Sequence, residues 1–492
     1  MPDPLARRLV RALLQRTASY WDDIAEHVSA HIADTMAIAV AARTAEPVRV
    51  AVLAGARGSG GGGCGSLAGA ELLPPAQAAF ASAAAAHALD FDDIHDQARL
   101  HPTTVALAAA LSAAQLSGAD GLTLARAVAA GCEVMCRLGA QLAPTSDNAA
   151  GHWFTTQLLG YLGGALAAGI ALGLDEDGLV EAVGLATMQT AGAKQVATGV
   201  GSSARGIYPA FAAAGGVTAA LLAAEGLRGP EQALEGRDGL FAAYLGGAEF
   251  DHAALADPDA SWAYAQTSIK PWPCCRIAHP YVSAALAAHQ ALRAGGAAAW
   301  EGTVKQVTLD VNASAARLCF PQEQRRRPAA LADAKYSVPF MTAVALAHGR
   351  VDLATAGERC LTDRAVLALA QRIEVRETLP DGPGHPPARL ALEFALGPPV
   401  TATAVAAELG LDLRAGLHRK VTECLRHGPE QGTGAAGCDA LGCNATGCNA
   451  TGFIAAVGQL CGSAAPGAAG HLLRLGSGTG GAERVPAVEA NR

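Results

Sequence analysis

The pattern of apolar positions changes along the chain and predicts two kinds of architecture. Early apolar residues recur at helical spacing, as in residues 20–42 with Ile24, Val28, Ile32, Met36 and Val40. Residues 5–45 therefore predict two helices, and residues 103–142 predict two more. After residue 280 the segments TVKQVTLDVNA, RIEVRE and ARLALEFAL alternate as strands do. The sequence predicts a mainly α-helical large domain followed by a smaller α+β domain.

A dense group of polar residues lies between two of the predicted helices, in AHALDFDDIHDQARLHP, residues 86–102. If residues 81–93 are helical, His87, Asp90 and Asp93 share one face. Carboxylates that lie close together raise at least one pKa, which provides an acid or a base. The alternative is a helix C-terminus whose aspartates are solvated. His101 precedes a proline, which suits the first turn of the next helix.

Two later segments each contain a lysine shortly before a proline. In SIKPWPCCRIAHP, residues 268–280, the prolines around Trp272 favour a rigid, extended connection at a domain junction. Ligand pockets often form at such junctions, although a purely structural linker is the alternative. In ADAKYSVPF, residues 332–340, Lys335 precedes a predicted helix start, and this arrangement favours an anion.

Composition and charge narrow the classes of function. The net charge is −8 and no basic stripe is present, which argues against a nucleic-acid partner but not against an anionic substrate. No uninterrupted apolar run of membrane length and no signal-peptide pattern occurs, so we expect a cytoplasmic protein with no membrane partner. The 12 cysteines lack zinc or iron–sulfur spacing, and the glycine run at residues 58–65 lacks βαβ alternation. We therefore expect neither a cysteine-bound metal cluster nor a dinucleotide at the glycine run.

Several of these segments together resemble the MmgE/PrpD family. The run AHALDFDD followed by LHP carries the resemblance most strongly, and KPWPCCR with its later histidine and AKYSVP extend it over roughly residues 5–400. The resemblance implies an all-helical domain at 1–269, a smaller α+β lid domain at 270–408, and homodimers. Residues 409–492 depart from the family, and we expect one helix near residues 413–425 followed by weak order.

The resemblance also implies a site for a small carboxylate substrate. It gives Asp93 and His101 as base and acid, and the remaining catalytic candidates are Lys270, His279, Tyr336 and His152. The substrate-binding candidates are Arg205, Arg276, Asp90 and Lys335. Three positions depart from the family pattern: Phe154 stands where histidine is expected, with His152 two residues earlier, and Arg205 and Tyr208 replace lysine and histidine.

The resemblance implies proton transfer next to a carboxylate, with no metal and no organic cofactor. The first hypothesis is a lyase that dehydrates a substrate such as 2-methylcitrate. A decarboxylase of the cis-aconitate type, or an epimerase or isomerase, needs nearly the same groups. A hypothesis of another class is that the protein binds a ligand or partner and does not catalyse a reaction.

Overall fold

The computed structural model describes residues 3–57, 63–142, 149–199, 201–294, 303–380, 388–395, 399–404, 413–427 and 457. The large domain is mainly helical, as predicted. Its helices are α1 (Leu5–Ser19), α2 (Ala25–Ala42), α3 (Glu46–Arg57), α4 (Pro75–His87), α5 (Pro102–Ser117), α6 (Gly121–Leu142), α7 (Thr155–Leu172), α8 (Glu176–Thr187), α9 (Gln195–Thr198), α10 (Tyr208–Ala224), α11 (Leu240–Tyr244) and α12 (His252–Leu255).

Small residues let helix α7 pack at the centre of this domain. A Cβ atom added at Gly216 of α10 would lie 2.5 Å from the main-chain carbon of Gly164, so these two helices touch through bare backbone. Of the described helices, α7 alone has the length and apolar character of a membrane span, and 83% of that stretch is buried inside the protein. The alanine- and glycine-rich composition thus serves close helix packing.

The smaller domain is α+β, as predicted, and is built around a four-stranded sheet. Strands β5 (Val304–Val311), β6 (Ile373–Glu377), β7 (Ala388–Phe394) and β8 (Val400–Ala404) lie in the order β6-β5-β7-β8, with only the β5–β6 pair parallel. Apolar side chains of the sheet and its helices form a second core. The helices are α13 (His279–Ala294), α14 (Ala313–Ala316), α15 (Gln322–Arg326), α16 (Leu331–Lys335), α17 (Val338–His348) and α18 (Arg364–Gln371).

Two short antiparallel pairs complete the large domain. Strands β1 (Cys64–Ser66) and β2 (Gly69–Leu73) form one pair, and β3 (Ile94–His95) and β4 (Thr267–Ser268) form the other. The β3–β4 pair joins the aspartate-rich segment to the residues that directly precede Lys270. Two motifs far apart in sequence therefore meet at the junction of the two domains.

The structure corrects the predicted helix over residues 81–93. Helix α4 ends at His87, and Asp90 adopts a positive φ of 50°, which an α-helix does not permit. Asp90 and Asp93 therefore do not share a helix face. The alternative of a helix C-terminus gave the right backbone, but the aspartates are buried instead of solvated.

The C-terminal region contributes one long helix to the described structure. Helix α19 (Leu413–His427) packs against α2 of the large domain. The repeated GCNATG segment and almost all of the chain after residue 427 lie outside the described residues.

Candidate active site

A pocket lies at the junction of the two domains. The aspartate-rich segment contributes Asp90 and His101, and the smaller domain contributes Arg276 and Tyr336. These four candidates from the sequence do come together, although Asp93, Lys270, Arg205, Lys335, His279 and His152 do not line the pocket. Asp90 is the one carboxylate among the described residues of its lining.

Asp92 organises the wall behind His101. Its Oδ2 atom accepts hydrogen bonds from His87 Nδ1 and Thr104 Oγ1, both at 2.8 Å, and lies 3.5 Å from His101 Nδ1. Burial alone would raise the pKa of Asp92, but His101, His87 and Lys270 hold it well below its usual range. A fixed negative charge therefore sits directly behind the His101 ring.

The position of His101 makes it suitable as a base. It is the residue before helix α5, and its Nδ1 donates to the main-chain oxygen of Asp93 at 2.5 Å. This hydrogen bond assigns the proton to Nδ1 and leaves Nε2 as the accepting nitrogen. Burial lowers the pKa of His101, so the ring is neutral near pH 7.

Asp90 is held by Lys270 at the pocket wall. Lys270 Nζ donates to Asp90 Oδ1 at 2.6 Å and to the Asp90 main-chain oxygen at 3.0 Å. Burial opposes the charge of this lysine, yet Asp90 and Asp92 raise its pKa above the ordinary value. The other carboxylate oxygen of Asp90, Oδ2, is buried and has no hydrogen-bond partner among the described residues. A buried, half-paired carboxylate on strained backbone is typical of functional sites.

Asp93 lies behind the pocket wall, which does not suit the role of base given to it from the resemblance. Its Oδ2 atom accepts hydrogen bonds from His31 Nδ1 at 2.8 Å and from Thr103 Oγ1. Burial raises its pKa to about 6. Its side chain supports the segment from the α2 side, and its main-chain oxygen orients His101.

Three further candidates are bound to protein atoms. The Arg205 guanidinium contacts Asp333 and the main-chain oxygens of Val196 and Gly199. The arginine expected to bind a substrate carboxylate therefore binds groups of the protein itself. Lys335 Nζ donates to the Leu89 main-chain oxygen at 2.5 Å, and His279 Nε2 lies 3.1 Å from the Cys274 oxygen. All three side chains are buried.

Arg276 lines the pocket and is oriented by an ion pair. Its Nε and Nη2 atoms donate to the two carboxylate oxygens of Asp96 at 2.9 and 2.7 Å. Tyr336 also lines the pocket, and burial raises its pKa well above the ordinary value, so its hydroxyl keeps its proton. It can therefore donate a hydrogen bond to a substrate oxygen.

Three further cationic side chains line the pocket. Arg99, Lys194 and Arg317 are not among the candidates that the sequence motifs indicate. The scarcity of lysine was the available signal, because the chain contains only five lysines. Arg99 had no such signal, and its positive φ of 51° became visible only in the structure.

His87, Asp92 and His101 also form a group with the composition of a metal site. One possible ligand atom of each lies within 4.8 Å of the others, and all three residues are buried. The Nδ1 atoms of both histidines already take part in hydrogen bonds. His87 Nδ1 bonds to Asp92 Oδ2, and His101 Nδ1 donates to the main-chain oxygen of Asp93. We interpret the group as a hydrogen-bond network.

Comparison with known proteins decides the family. The model of the MmgE/PrpD N-terminal domain matches residues 9–253, and that of the C-terminal domain matches residues 272–387. The chain belongs to the MmgE/PrpD family. This finding confirms the resemblance drawn from the sequence motifs.

The curated relatives of this MmgE/PrpD protein include cis-aconitate decarboxylases. The Aspergillus terreus enzyme is 28% identical over 234 residues, which is 45% of this chain and 47% of that protein. The Homo sapiens enzyme is 27% identical over 312 residues, 62% of each chain. The Mus musculus enzyme is 32% identical over 177 residues, 35% of each chain. The chain thus spans about half the length of the curated relatives it matches.

Two of the three departures from the family pattern, Phe154 and Tyr208, lie together in the pocket of this MmgE/PrpD protein. Both residues line the pocket, and their rings stack with centroids 3.9 Å apart. His152 is exposed, and its main-chain oxygen accepts a hydrogen bond from the Lys194 amide. His152 therefore lies outside the pocket lining, and the stacked rings of Phe154 and Tyr208 occupy this part of the pocket.

Proposed function

We propose that the protein is a lyase that acts on a small polycarboxylate by moving a proton next to a carboxylate group. The observation that carries the proposal is the composition of one pocket. A neutral His101 and a half-paired Asp90 share it with Arg276 and other cations. A base beside fixed cations is what enolate chemistry requires, because the cations stabilise the negative charge that develops.

In a dehydration, the neutral His101 acts as the base. Nε2 takes the proton from the carbon next to a substrate carboxylate. The C–H electron pair forms a carbon–carbon double bond while the carbon–oxygen bond breaks. His101 then returns its proton to the departing hydroxide, which leaves as water. Arg276 holds a carboxylate, and Tyr336 donates a hydrogen bond to a substrate oxygen.

Decarboxylation is the second candidate, favoured by the names of the curated relatives. Here a carbon–carbon bond breaks, carbon dioxide leaves, and the electron pair is shared with the neighbouring double bond and carboxylate. Protonated His101 gives its proton to the carbon. This reaction needs the imidazolium form, which burial disfavours at neutral pH. The epimerase alternative needs only proton removal and return.

Proton NMR of the purified protein in deuterated water tests the proposal. The panel is 2-methylcitrate, citrate, cis-aconitate and a chiral aminodicarboxylate. New vinyl signals from a hydroxy acid indicate dehydration, loss of a carboxyl carbon indicates decarboxylation, and deuterium uptake alone indicates epimerisation. No change with any compound, for protein that melts cooperatively, contradicts the proposal and favours a ligand-binding family member.

A chelator control belongs to the same assay. Neither step above uses a metal, so we expect turnover to survive dialysis against a strong chelator. A loss that added divalent metal restores would instead assign a metal to the His87, Asp92 and His101 group.

A further inference from the structure

The buried guanidinium of Arg205 binds both domains at once. Arg205 lies between helices α9 and α10 of the large domain, and its side chain is fully buried. Nε and Nη2 donate to the Val196 main-chain oxygen at 2.9 and 2.6 Å, and Nη2 also donates to the Gly199 oxygen at 2.5 Å. Nη1 donates to Asp333 Oδ1 of helix α16, in the smaller domain, at 3.3 Å. One side chain therefore connects the two domains.

Asp333 completes this connection from the smaller domain. Its Oδ2 atom accepts a hydrogen bond from the Gly201 amide at 2.8 Å, while Oδ1 faces Arg205. The large domain thus supplies a donor to each oxygen of this buried carboxylate. Charge-assisted hydrogen bonds are short and directional, so they fix the position of α16 against the large domain.

Tyr336 directly follows α16 and lines the pocket. The guanidinium carbon of Arg205 lies 4.6 Å from the centroid of the Tyr336 ring, where a cation is attracted to the ring face. Arg325 Nη1 donates to the Tyr336 main-chain oxygen at 3.3 Å. The tyrosine is therefore held by its ring face and by its backbone. Because the hydroxyl lies in the plane of the ring, these contacts also set where it points.

The charge of Arg205 acts on the Tyr336 hydroxyl as well. Burial raises the pKa of Tyr336, and the arginine opposes this rise, which makes the hydroxyl a stronger hydrogen-bond donor. A lysine at position 205, as in the family pattern, would not provide the same contacts. An ammonium group is a point charge, whereas the guanidinium is planar and presents several donors while it covers a ring.

We propose that Arg205 is a positioning residue, which holds the Tyr336 ring so that its hydroxyl points at the substrate. The arginine itself is not part of the described pocket lining, so it acts through the tyrosine. The inference rests on the proposed function, because Tyr336 is the group that donates a hydrogen bond to a substrate oxygen there. The replacement of lysine by arginine therefore moves this position from ligand binding to support of the pocket wall.

NMR of labelled tyrosines tests the contact without any turnover. The full-length protein carries seven tyrosines, and with ¹³C at each Cζ the signal of Tyr336 is the one lost in Tyr336→Phe. Arg205→Lys keeps the charge but removes the planar group, so we expect this signal to shift or split. Arg228→Lys, the same change at an exposed arginine outside the pocket, should leave it in place.

A double-mutant cycle tests whether Arg205 acts through Tyr336. On the compound that the panel identifies, Arg205→Lys should lower kcat by about 10- to 100-fold and change KM by less than about threefold. In a Tyr336→Phe background the same change should lower kcat by less than about threefold, because the hydroxyl that it positions is absent. Arg228→Lys should alter neither constant.

An unchanged Tyr336 signal in Arg205→Lys would overturn the inference, as would equal losses of kcat with and without the Tyr336 hydroxyl. If Arg205→Lys does not melt cooperatively, Asp333→Asn replaces it with the same expectations, because it removes the charge that holds Nη1. The two proposals fail separately. If the protein turns over no compound of the panel, the proposed function fails, and the Tyr336 signal alone decides whether Arg205 holds the ring.

Discussion

At the scale of single residues, the state of His101 depends on neighbours that the fold supplies. Its Nδ1 proton is held by the Asp93 main-chain oxygen, and Asp92 lies behind the ring. The titratable and charged groups that act on it are Asp92, Lys270, His87 and Asp90. Burial outweighs the two carboxylates and keeps the ring neutral, which suits proton abstraction.

The pH dependence of kcat/KM should be bell-shaped. Protonation removes the base as pH falls, and because burial lowers the pKa of His101, the acid limb should lie below about 6.5, the ordinary histidine value. Lys194 faces Arg99, Arg317 and Cys275, and burial with the two arginines lowers its pKa to about 8. It loses its charge as pH rises through that value, so the alkaline limb should lie there.

Lys194→Arg tests the assignment of the alkaline limb. Arginine stays protonated, so this limb should move up by more than one pH unit while the acid limb stays in place. An alkaline limb that does not move, or an acid limb above pH 6.5, would contradict the assignment. A rate that rises steadily as pH falls would favour decarboxylation by imidazolium.

The motifs predicted which residues come together better than they predicted which way each side chain points. His101, Asp90, Lys270 and Arg276 lie near one another because they belong to the two motifs that pair through β3 and β4. The contact of Arg205 with Asp333 spans 128 residues and has no local signal. The adjacent Asp92 and Asp93 likewise bind different partners, His87 and His31, and Asp90 is the aspartate that lines the pocket. Sequence spacing alone does not distinguish these three environments.

At the scale of elements, helix α19 supports the aspartate-rich segment through a lysine that does not line the pocket. Its Lys420 is buried, and Nζ donates to Asp34 Oδ2 at 2.9 Å and to the Phe91 main-chain oxygen at 2.6 Å. The ammonium also lies 4.3 Å from the centroid of the Phe91 ring. One lysine of the C-terminal region therefore fixes the backbone between Asp90 and Asp92.

Lys420→Met should destabilise the fold and slow turnover. It leaves Asp34 buried without its cation, at a cost of about 3 kcal/mol in the free energy of unfolding. The segment carrying Asp90 also loses a main-chain anchor, so we expect kcat to fall by at least about tenfold. Chemical denaturation and steady-state kinetics measure both effects.

The double variant Lys420→Met, Asp34→Asn separates the effect of Lys420 on stability from its effect on turnover. Removing the buried carboxylate should recover part of the stability but not kcat, because the Phe91 oxygen still lacks its donor. Full recovery of kcat would argue that Lys420 acts only through stability. The exposed Lys305→Met change should alter the unfolding free energy by less than about 0.5 kcal/mol.

The aspartate-rich segment is also the element whose backbone the sequence predicted least well. The pattern extended the helix to residue 93, but the chain leaves the helix after His87. Contacts from Lys270, Lys335 and Lys420 to the main-chain oxygens of Asp90, Leu89 and Phe91 satisfy the backbone there. These lysines lie more than 170 residues away, so local propensity could not anticipate them.

At the scale of the whole molecule, the helical domain leaves an apolar strip of α10 exposed. Phe211 and Leu222 are 46% and 41% exposed and lie eleven residues apart, three turns along the same face. The family resemblance implies homodimers, and we predict that this face lies in the subunit contact. Light scattering should then give twice the chain mass of 49.4 kDa.

Phe211→Asp tests the predicted contact. The charge should shift the mass toward that of a monomer, whereas Glu225→Gln, an exposed change at the end of the same helix, should not. A dimer that survives Phe211→Asp would place the contact elsewhere, and a wild-type monomer would contradict the prediction.

The central claim is that His101 performs the proton transfer in a polycarboxylate pocket. The most direct test compares turnover by wild type, His101→Asn and His152→Asn on the compound that the NMR panel identifies. We predict that His101→Asn lowers kcat by about 10²- to 10⁴-fold at an unchanged melting temperature, while the exposed His152→Asn keeps wild-type turnover. Undiminished turnover in His101→Asn would contradict the claim.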